Sequence, residues 1–182
     1  GGGEPFMEES LAVALKHGFH EQAARAYTNY SGYAIVTKNF ALAERLLSEG
    51  IAFDSEHDLD SWTYYLVGRQ AQLRMDQGRL REAQSIARGV LAMEHQTLVM
   101  KLPSLSVLST VHARLGEDDA GELLQRSLRD AQATGEPQHI MPVRISRAEA
   151  AWLAGDLDAC RNELKELVLL GLDKFDPWEL GE

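Results

Sequence analysis

Two glycines, Gly116 and Gly121, stand five residues apart, which is the glycine spacing of a phosphate-binding loop. The sequence continues with Glu122 and Leu123, however, where such a loop requires Lys followed by Ser or Thr. Acidic residues between the glycines would also repel a phosphate. The stretch therefore predicts a turn between two helices and no nucleotide site.

Two further stretches have residue types that can bind metals. The segment 54–60 is rich in carboxylates, but it lacks the central glycine of a calcium loop and has Tyr65 where a bidentate acid should close it. His17 and His20 have a metal-like spacing across a predicted helix break, without a carboxylate pair nearby. We interpret the first as a solvated loop and the second as a surface turn. With no His-Glu-x-x-His and no Gly-x-Ser-x-Gly motif, the sequence predicts no enzyme, no metal and no cofactor.

Charge and composition restrict the partners. Of 182 residues, 18 are Lys or Arg and 28 are Asp or Glu, which gives a net charge of −10. A surface that neutralises nucleic-acid phosphates needs the opposite balance. No apolar run approaches the ~18 residues that span a membrane, and a single cysteine fits a reducing compartment. The sequence thus predicts a cytoplasmic segment with no direct nucleic-acid binding and no membrane contact.

Four stretches of the chain carry two small residues at a separation of twelve. Two antiparallel helices approach closely where neither has a bulky side chain. The second small residues follow one another after 40, 38 and 39 residues, a period typical of stacked helical repeats. The four pairs are Ser31 and Ala43, Ala71 and Ala83, Ser109 and Gly121, and Ala148 and Cys160. We expect all eight to be buried, and Trp152 to fill the core or line a groove; an Ala-rich bundle without true repetition is the alternative.

The elements that follow from this period are helices throughout. We predict four antiparallel pairs at about residues 20–56, 60–94, 102–134 and 138–170, preceded by a partial helix from residue 7. Residues 1–6 are predicted to be a flexible tail or linker, and 7–182 a single domain. Asp60 or Ser61 is the expected N-cap of the second pair, and helices are expected to begin or kink within a turn of Pro103 and Pro142. Asp176-Pro177-Trp178-Glu179 has a helix-start pattern, so a truncated helix is predicted from residue 177.

Each pair is closed by Gly-x-apolar-x-x-small or a close variant, as in 78–83 and 155–160. This pattern resembles the tetratricopeptide repeat, although the unit is longer than the ~34 residues of the standard repeat. The resemblance implies an all-α fold of helix pairs stacked into a curved right-handed superhelix, with ligands on the concave side. Tetratricopeptide ligand positions lie six and two residues before the first small residue of a unit. Carried over, they are Arg25, Asn29, Tyr65 and Arg69, and the third and fourth units depart from the pattern with Pro103, Val107, Pro142 and Ser146.

An Arg fork and an amide suit a planar anion, so Arg25, Asn29 and Arg69 resemble part of a clamp for a peptide carboxylate. Helical phase adds further groove positions: Gln72, Thr110, Arg114 and Glu149.

The longer, degenerate unit resembles the helical-repeat region of large bacterial LuxR-type, MalT-like regulators, which combine an NTPase, helical repeats and a helix-turn-helix. The stretches 20–29 and 147–156 carry this similarity. It implies a non-catalytic segment of a signal-responsive transcription regulator, which binds a protein, a peptide or a small effector and contacts the flanking domains of its parent chain. The alternative is a free-standing adaptor that binds a peptide segment or C-terminus. Apolar faces on the terminal helices also predict pairing of two copies into a homodimer.

Overall fold

The computed structural model describes residues 3–174, with side chains through residue 171. Within that range 82% of the residues are helical and none lies in a strand, which confirms the all-α prediction for the described part of the chain. The helices are α1 (Glu4–Lys16), α2 (His20–Val36), α3 (Phe40–Glu56), α4 (Asp60–Asp76), α5 (Leu80–Leu91), α6 (Leu98–Leu115), α7 (Ala120–Gln132), α8 (Pro137–Leu153) and α9 (Leu157–Lys174).

The turns between the first five helices are alike, and they set a period of twenty residues. Helices α2 to α5 begin at residues 20, 40, 60 and 80, each after a turn of three residues. The middle residue of each turn has a positive φ, as at Gly18 (65°), Lys38 (59°), Asp58 (55°) and Gly78 (78°). The next backbone N–H then bonds to the carbonyl five residues earlier, as in Leu59 N to Asp54 O at 2.9 Å. This Schellman closure satisfies carbonyls that the helix end leaves open and reverses the chain at each turn.

Several helix starts differ from the predicted ones. Helix α1 begins at Glu4, so it includes part of the stretch expected to be a tail. Helix α4 has Leu59 at its N-cap position, without a side-chain cap, so neither Asp60 nor Ser61 is the N-cap. Pro103 and Pro142 lie inside α6 and α8, and neither helix begins within a turn of its proline. The helix predicted from residue 177 lies outside the described residues.

The chain packs as two compact units that divide between Val107 and Leu108, within α6. The first unit has a large apolar core between α1, α2, α3 and α4. Its fully buried members include Ile35, Leu46, Leu47, Leu66 and Leu73. Helix α3 reaches this core through Gly50, since a Cβ there would lie 2.8 Å from Leu66 Cδ1 and 3.0 Å from Tyr27 Cβ. The missing side chain thus permits close helix packing.

A polar network ties α3, α4 and α5 of the first unit together on the rim of this core. The Arg74 guanidinium bonds to the Glu44 carboxylate and donates through Nε to Glu82 at 3.0 Å. The hydrogen bond from Arg74 lowers the pKa of Glu44. Arg74, in the last turn of α4, therefore bonds to both α3 and α5.

The second unit is held together to a larger extent by polar contacts. Ser127 on α7 bonds to Ser109 on α6 at 3.2 Å, and both are fully buried. Glu163 on α9 accepts from Arg144 at 2.8 Å and from Arg147 at 2.6 Å, both on α8. These contacts replace part of the apolar packing that holds the first unit.

The small-residue register is correct for most of its positions and wrong for others. Ser31, Ala43, Ala71, Ala83, Ser109 and Ala148 are buried as expected. Gly121 is exposed, and the turn before α7 has four residues instead of the three found before α2 to α5. Cys160, on α9, is only half-buried. The prediction that Trp152 fills the core is wrong, as it is 62% exposed.

Candidate ligand groove

The predicted ligand residues of the first unit lie on α2 and α4, which contact each other. Arg25 and Asn29 are one turn apart on α2, and both are exposed. Tyr65, Arg69 and Gln72 follow one face of α4 and are half-buried. We call these five residues the α2–α4 strip. Within the described part of the chain, the side chains of Arg25 and Asn29 have no hydrogen bond or ion pair, so their donors face solvent.

The guanidinium of Arg69 is held by neighbours on its own helix. Its Nη1 donates to Gln72 Oε1 at 2.7 Å, and its Nη2 donates to the Tyr65 hydroxyl at 3.3 Å. The guanidinium also lies over the Tyr65 ring, 5.3 Å from the centroid, a cation–π arrangement. Its Nε is buried and has no acceptor among the described residues. Arg69 is therefore a guanidinium whose position is set by Tyr65 and Gln72 of its own helix.

Gly32 of α2 lies next to the Arg69 head group of α4. A Cβ on Gly32 would lie 4.0 Å from Arg69 Nη2, which is an ordinary van der Waals distance. Sequence reasoning missed Gly32, although its place one turn after Asn29 on the face of Arg25 was readable from the helical period.

The predicted residues of the second unit lie on α6 and α8, and they are bonded across the two helices. Thr110 donates to Ser146 at 2.8 Å, and both side chains are buried. Arg114 forms a two-point ion pair with Glu149, at 2.6 Å from Nε and 3.0 Å from Nη2, with both side chains 31% exposed. We call these four residues the α6–α8 strip. Its charges neutralise each other, so it offers an incoming anion much less than the α2–α4 strip does.

The repeat register relates the two strips. In both strips, the residue after the first small residue of one helix pair lies next to the residue two before the first small residue of the following pair. These neighbours are Thr110 and Ser146 in one strip, and Gly32 and Arg69 in the other. By the same register, Arg114 and Glu149 correspond to Val36 and Gln72. The structure thus brings Tyr65, Arg69 and Gln72 together in one unit and Thr110, Arg114 and Glu149 in the other.

Other groups with catalytic potential are used for packing. His112 bonds through Nδ1 to Asp119; the His112 side chain is 2% exposed and Ser109, one turn earlier, is fully buried. Among residues 3–171, no three His, Cys, Asp or Glu side chains are grouped so that they could hold a metal ion. None of the described helices combines the length and apolar character that crossing a bilayer requires.

The segment 54–60, interpreted from sequence as a solvated loop, is different in the structure. Asp54 belongs to α3 and is completely buried, and only residues 57–59 form the turn. The error arose because a run of carboxylates was taken to be solvated along its whole length. Asp54 continues the inward face of α3 one turn after Gly50.

An open depression of mixed polarity lies along α1 and the start of α2. It has a volume of about 390 Å³ and is lined in part by Phe6, Val13 and Phe19. Phe6 is 73% exposed and Phe19 is 52% exposed. At the other end of the described chain, α9 exposes Leu157, Leu164 and Val168. These are the surfaces on which the predicted pairing of two copies would depend.

Comparison with known proteins identifies no family. No protein-family profile matches the chain, and no curated protein matches it. The resemblance to LuxR-type regulators therefore remains a proposal.

Proposed function

We propose that this chain is a non-catalytic, tetratricopeptide-like binding segment, whose helix pairs stack into a curved right-handed superhelix. In this proposal it belongs to a bacterial signal-responsive transcription regulator and senses a protein, a peptide or a small effector. The repeated helix pairs and their Schellman turns support the repeat architecture. The resemblance of residues 20–29 and 147–156 to MalT-like regulators supports the parent family.

The observation that carries the binding role is the α2–α4 strip. Arg25 offers five unused N–H donors, and Asn29 offers an amide on the same face one turn later. Arg69 lies on the adjoining helix, oriented by Tyr65 and Gln72. A carboxylate is the group that a planar guanidinium and an amide bind best. A peptide with a free C-terminus, or an effector with a carboxylate, is the ligand that this surface fits.

The test compares peptides that differ only in their last group. Fluorescently labelled random-sequence decapeptides with a free C-terminal carboxylate are titrated beside the same pool made as C-terminal carboxamides, with anisotropy as the readout. We expect the carboxylate pool to bind more tightly. Arg25→Ala should weaken its binding about tenfold or more, because a charge-assisted, two-point contact is lost.

Arg114→Ala is the matched control, since it removes an arginine whose acceptor is already Glu149. It should leave the affinity unchanged. Equal binding of both pools, or equal loss in both variants, contradicts the proposed site. The regulator assignment has a separate test, because the coding sequence on either side should encode an NTPase and a helix-turn-helix; repeats alone would favour the free-standing adaptor.

A further inference from the structure

Asp54 occupies a core position where an apolar residue would be expected. Its side chain is 0% exposed, and neither carboxyl oxygen has a hydrogen-bond partner among the described residues. One turn earlier on the same face, Gly50 packs against Tyr27 of α2 and Leu66 of α4. The carboxyl of Asp54 is thus enclosed where three helices meet. A buried polar group without a partner is costly, and the cost is much larger when it is charged.

The groups around this carboxyl include other titratable side chains. The His57 ring lies 4.0 Å from the His20 ring of α2 and 4.2 Å from the Phe53 ring, between centroids. Nδ1 of His57 is 2.7 Å from the Phe53 carbonyl, which makes it a donor to that oxygen. His57 therefore bonds to backbone and does not bond to the Asp54 carboxylate.

From α2, Glu21 and Tyr27 also face Asp54, and Glu21 accepts a hydrogen bond from Trp62 of α4 at 2.9 Å. Helix α4 itself starts with the exposed Asp60. Of these groups, His57 favours the ionised form of the Asp54 carboxyl and Glu21 favours the neutral form. Asp54 also lies in the last turn of α3, where the helix dipole disfavours a negative charge.

Burial is the largest cause that raises the pKa of Asp54, to about 6; His57 opposes the rise and Glu21 adds to it. The protonated carboxyl is neutral and fits the apolar enclosure, whereas the ionised one does not. The change of state therefore falls close to neutral pH.

We propose that Asp54 is a proton sensor built into the first unit: when protonated, it allows the end of α3 to pack closely between α2 and α4, and when ionised, it loosens that end. The Asp54 carbonyl also accepts the Leu59 N–H that closes the α3–α4 turn. A looser end of α3 would therefore also disturb the turn that precedes α4, the helix that carries Arg69. Proton binding is coupled in this way to the helices of the α2–α4 strip, whatever that strip binds.

The direction in which stability changes with pH follows from the linkage between proton binding and folding. The folded state holds the Asp54 proton more tightly than the unfolded state, whose aspartate pKa is about 3.9. This contribution to stability is fully present below pH ~4 and decreases as the pH rises through about 6. Between pH 5 and 7.5 the unfolding equilibrium constant should increase by about tenfold through this group alone.

The experiment compares the wild-type chain with Asp54→Asn, which keeps the shape and removes the titration. Urea unfolding at pH 5.0 and 7.5 gives the ratio of the two unfolding constants, in which the other titrating groups cancel. We expect that ratio to change by about tenfold between the two pH values. We also expect the protection factor of the Leu59 amide, corrected for intrinsic exchange, to fall in the wild type as pH rises and to stay constant in Asp54→Asn.

Glu56→Gln is the control, since Glu56 is exposed at the end of the same helix. The ratio of the unfolding constants of Glu56→Gln and the wild type should be the same at pH 5.0 and 7.5. If Asp54→Asn does not fold, the side-chain carboxyl ¹³C resonance of Asp54 in the wild type gives the same answer directly, with an expected titration midpoint near pH 6. A midpoint at or below pH 4, or a constant ratio between wild type and Asp54→Asn, would overturn the proposal.

Discussion

The two units use matching positions of the repeat for opposite purposes. On α2 and α4 these positions hold open donors and a glycine, so the two helices pack together with no ion pair between them at these positions. On α6 and α8 they hold Arg114, Glu149, Thr110 and Ser146, which bond to one another across the helices. One period can thus build a strip of open polar groups or a polar seam, depending on whether the charges have acceptors inside the fold. Variants at these positions can break or sharpen this comparison.

Gly68→Ala should have the largest effect on stability. A Cβ at this position of α4 would lie 2.9 Å from Pro103 Cβ and 3.2 Å from the backbone N of Ser104, all within the first unit. Neither a proline ring nor a backbone atom can move aside easily, so overpacking should exceed the helical gain of alanine. We expect a loss of about 2 kcal/mol in the free energy of unfolding, measured by urea denaturation.

The control for this variant is Gly89→Ala, at an exposed position of α5 where nothing lies within 4 Å of the added atom. It should stabilise the chain by about 0.5–1 kcal/mol. A neutral or stabilising Gly68→Ala would show that the first unit does not need bare backbone to bring its helices together.

Arg114→Ala and Arg25→Ala measure the difference between the two strips directly. Removing Arg114 breaks a two-point ion pair and leaves Glu149 partly buried without its partner. It should lower the free energy of unfolding by about 1 kcal/mol. Removing Arg25, which is exposed and makes no contact of this kind in the described chain, should change stability by less than about 0.5 kcal/mol.

A double-mutant cycle with Glu149→Ala isolates the pair energy of Arg114. The coupling should decrease when the salt concentration is raised. Equal stability losses for Arg25→Ala and Arg114→Ala would mean that the two strips do not differ in the way the contacts indicate.

Much of the fold was readable from the sequence, because helix ends depend on local chemistry. Gly78 and Gly155 mark turns whose middle residue needs a positive φ, and the apolar period marks the inward faces. Lys38 and Asp58 adopt the same conformation without glycine. Those turns were located from the period and not from their own residues.

What could not be read depends on contacts between distant residues. The turn before α7 is one residue longer than the earlier ones and Gly121 is exposed, and the small-residue pattern alone does not reveal either fact. The sequence also placed Arg114 and Glu149 on groove faces without showing that they neutralise each other. Asp54 was misread for the same reason, since its burial depends on α2 and α4 as well as on α3.

The smallest expected effect comes from transferring the polar seam to the first unit. Since Val36 and Gln72 correspond to Arg114 and Glu149, the variant Val36→Arg with Gln72→Glu should create a pair between α2 and α4. Val36 is 73% exposed, so the new arginine replaces an apolar side chain that contributes little to the core. An exposed ion pair contributes about 0.5 kcal/mol, which should appear as the coupling energy of a double-mutant cycle on urea unfolding. Each single variant serves as the control for the other, because Gln72→Glu alone also strengthens the contact with Arg69. A coupling energy of zero would mean that α2 and α4 do not share the geometry of α6 and α8; a positive one would show that the open strip differs from the closed strip only in its side chains.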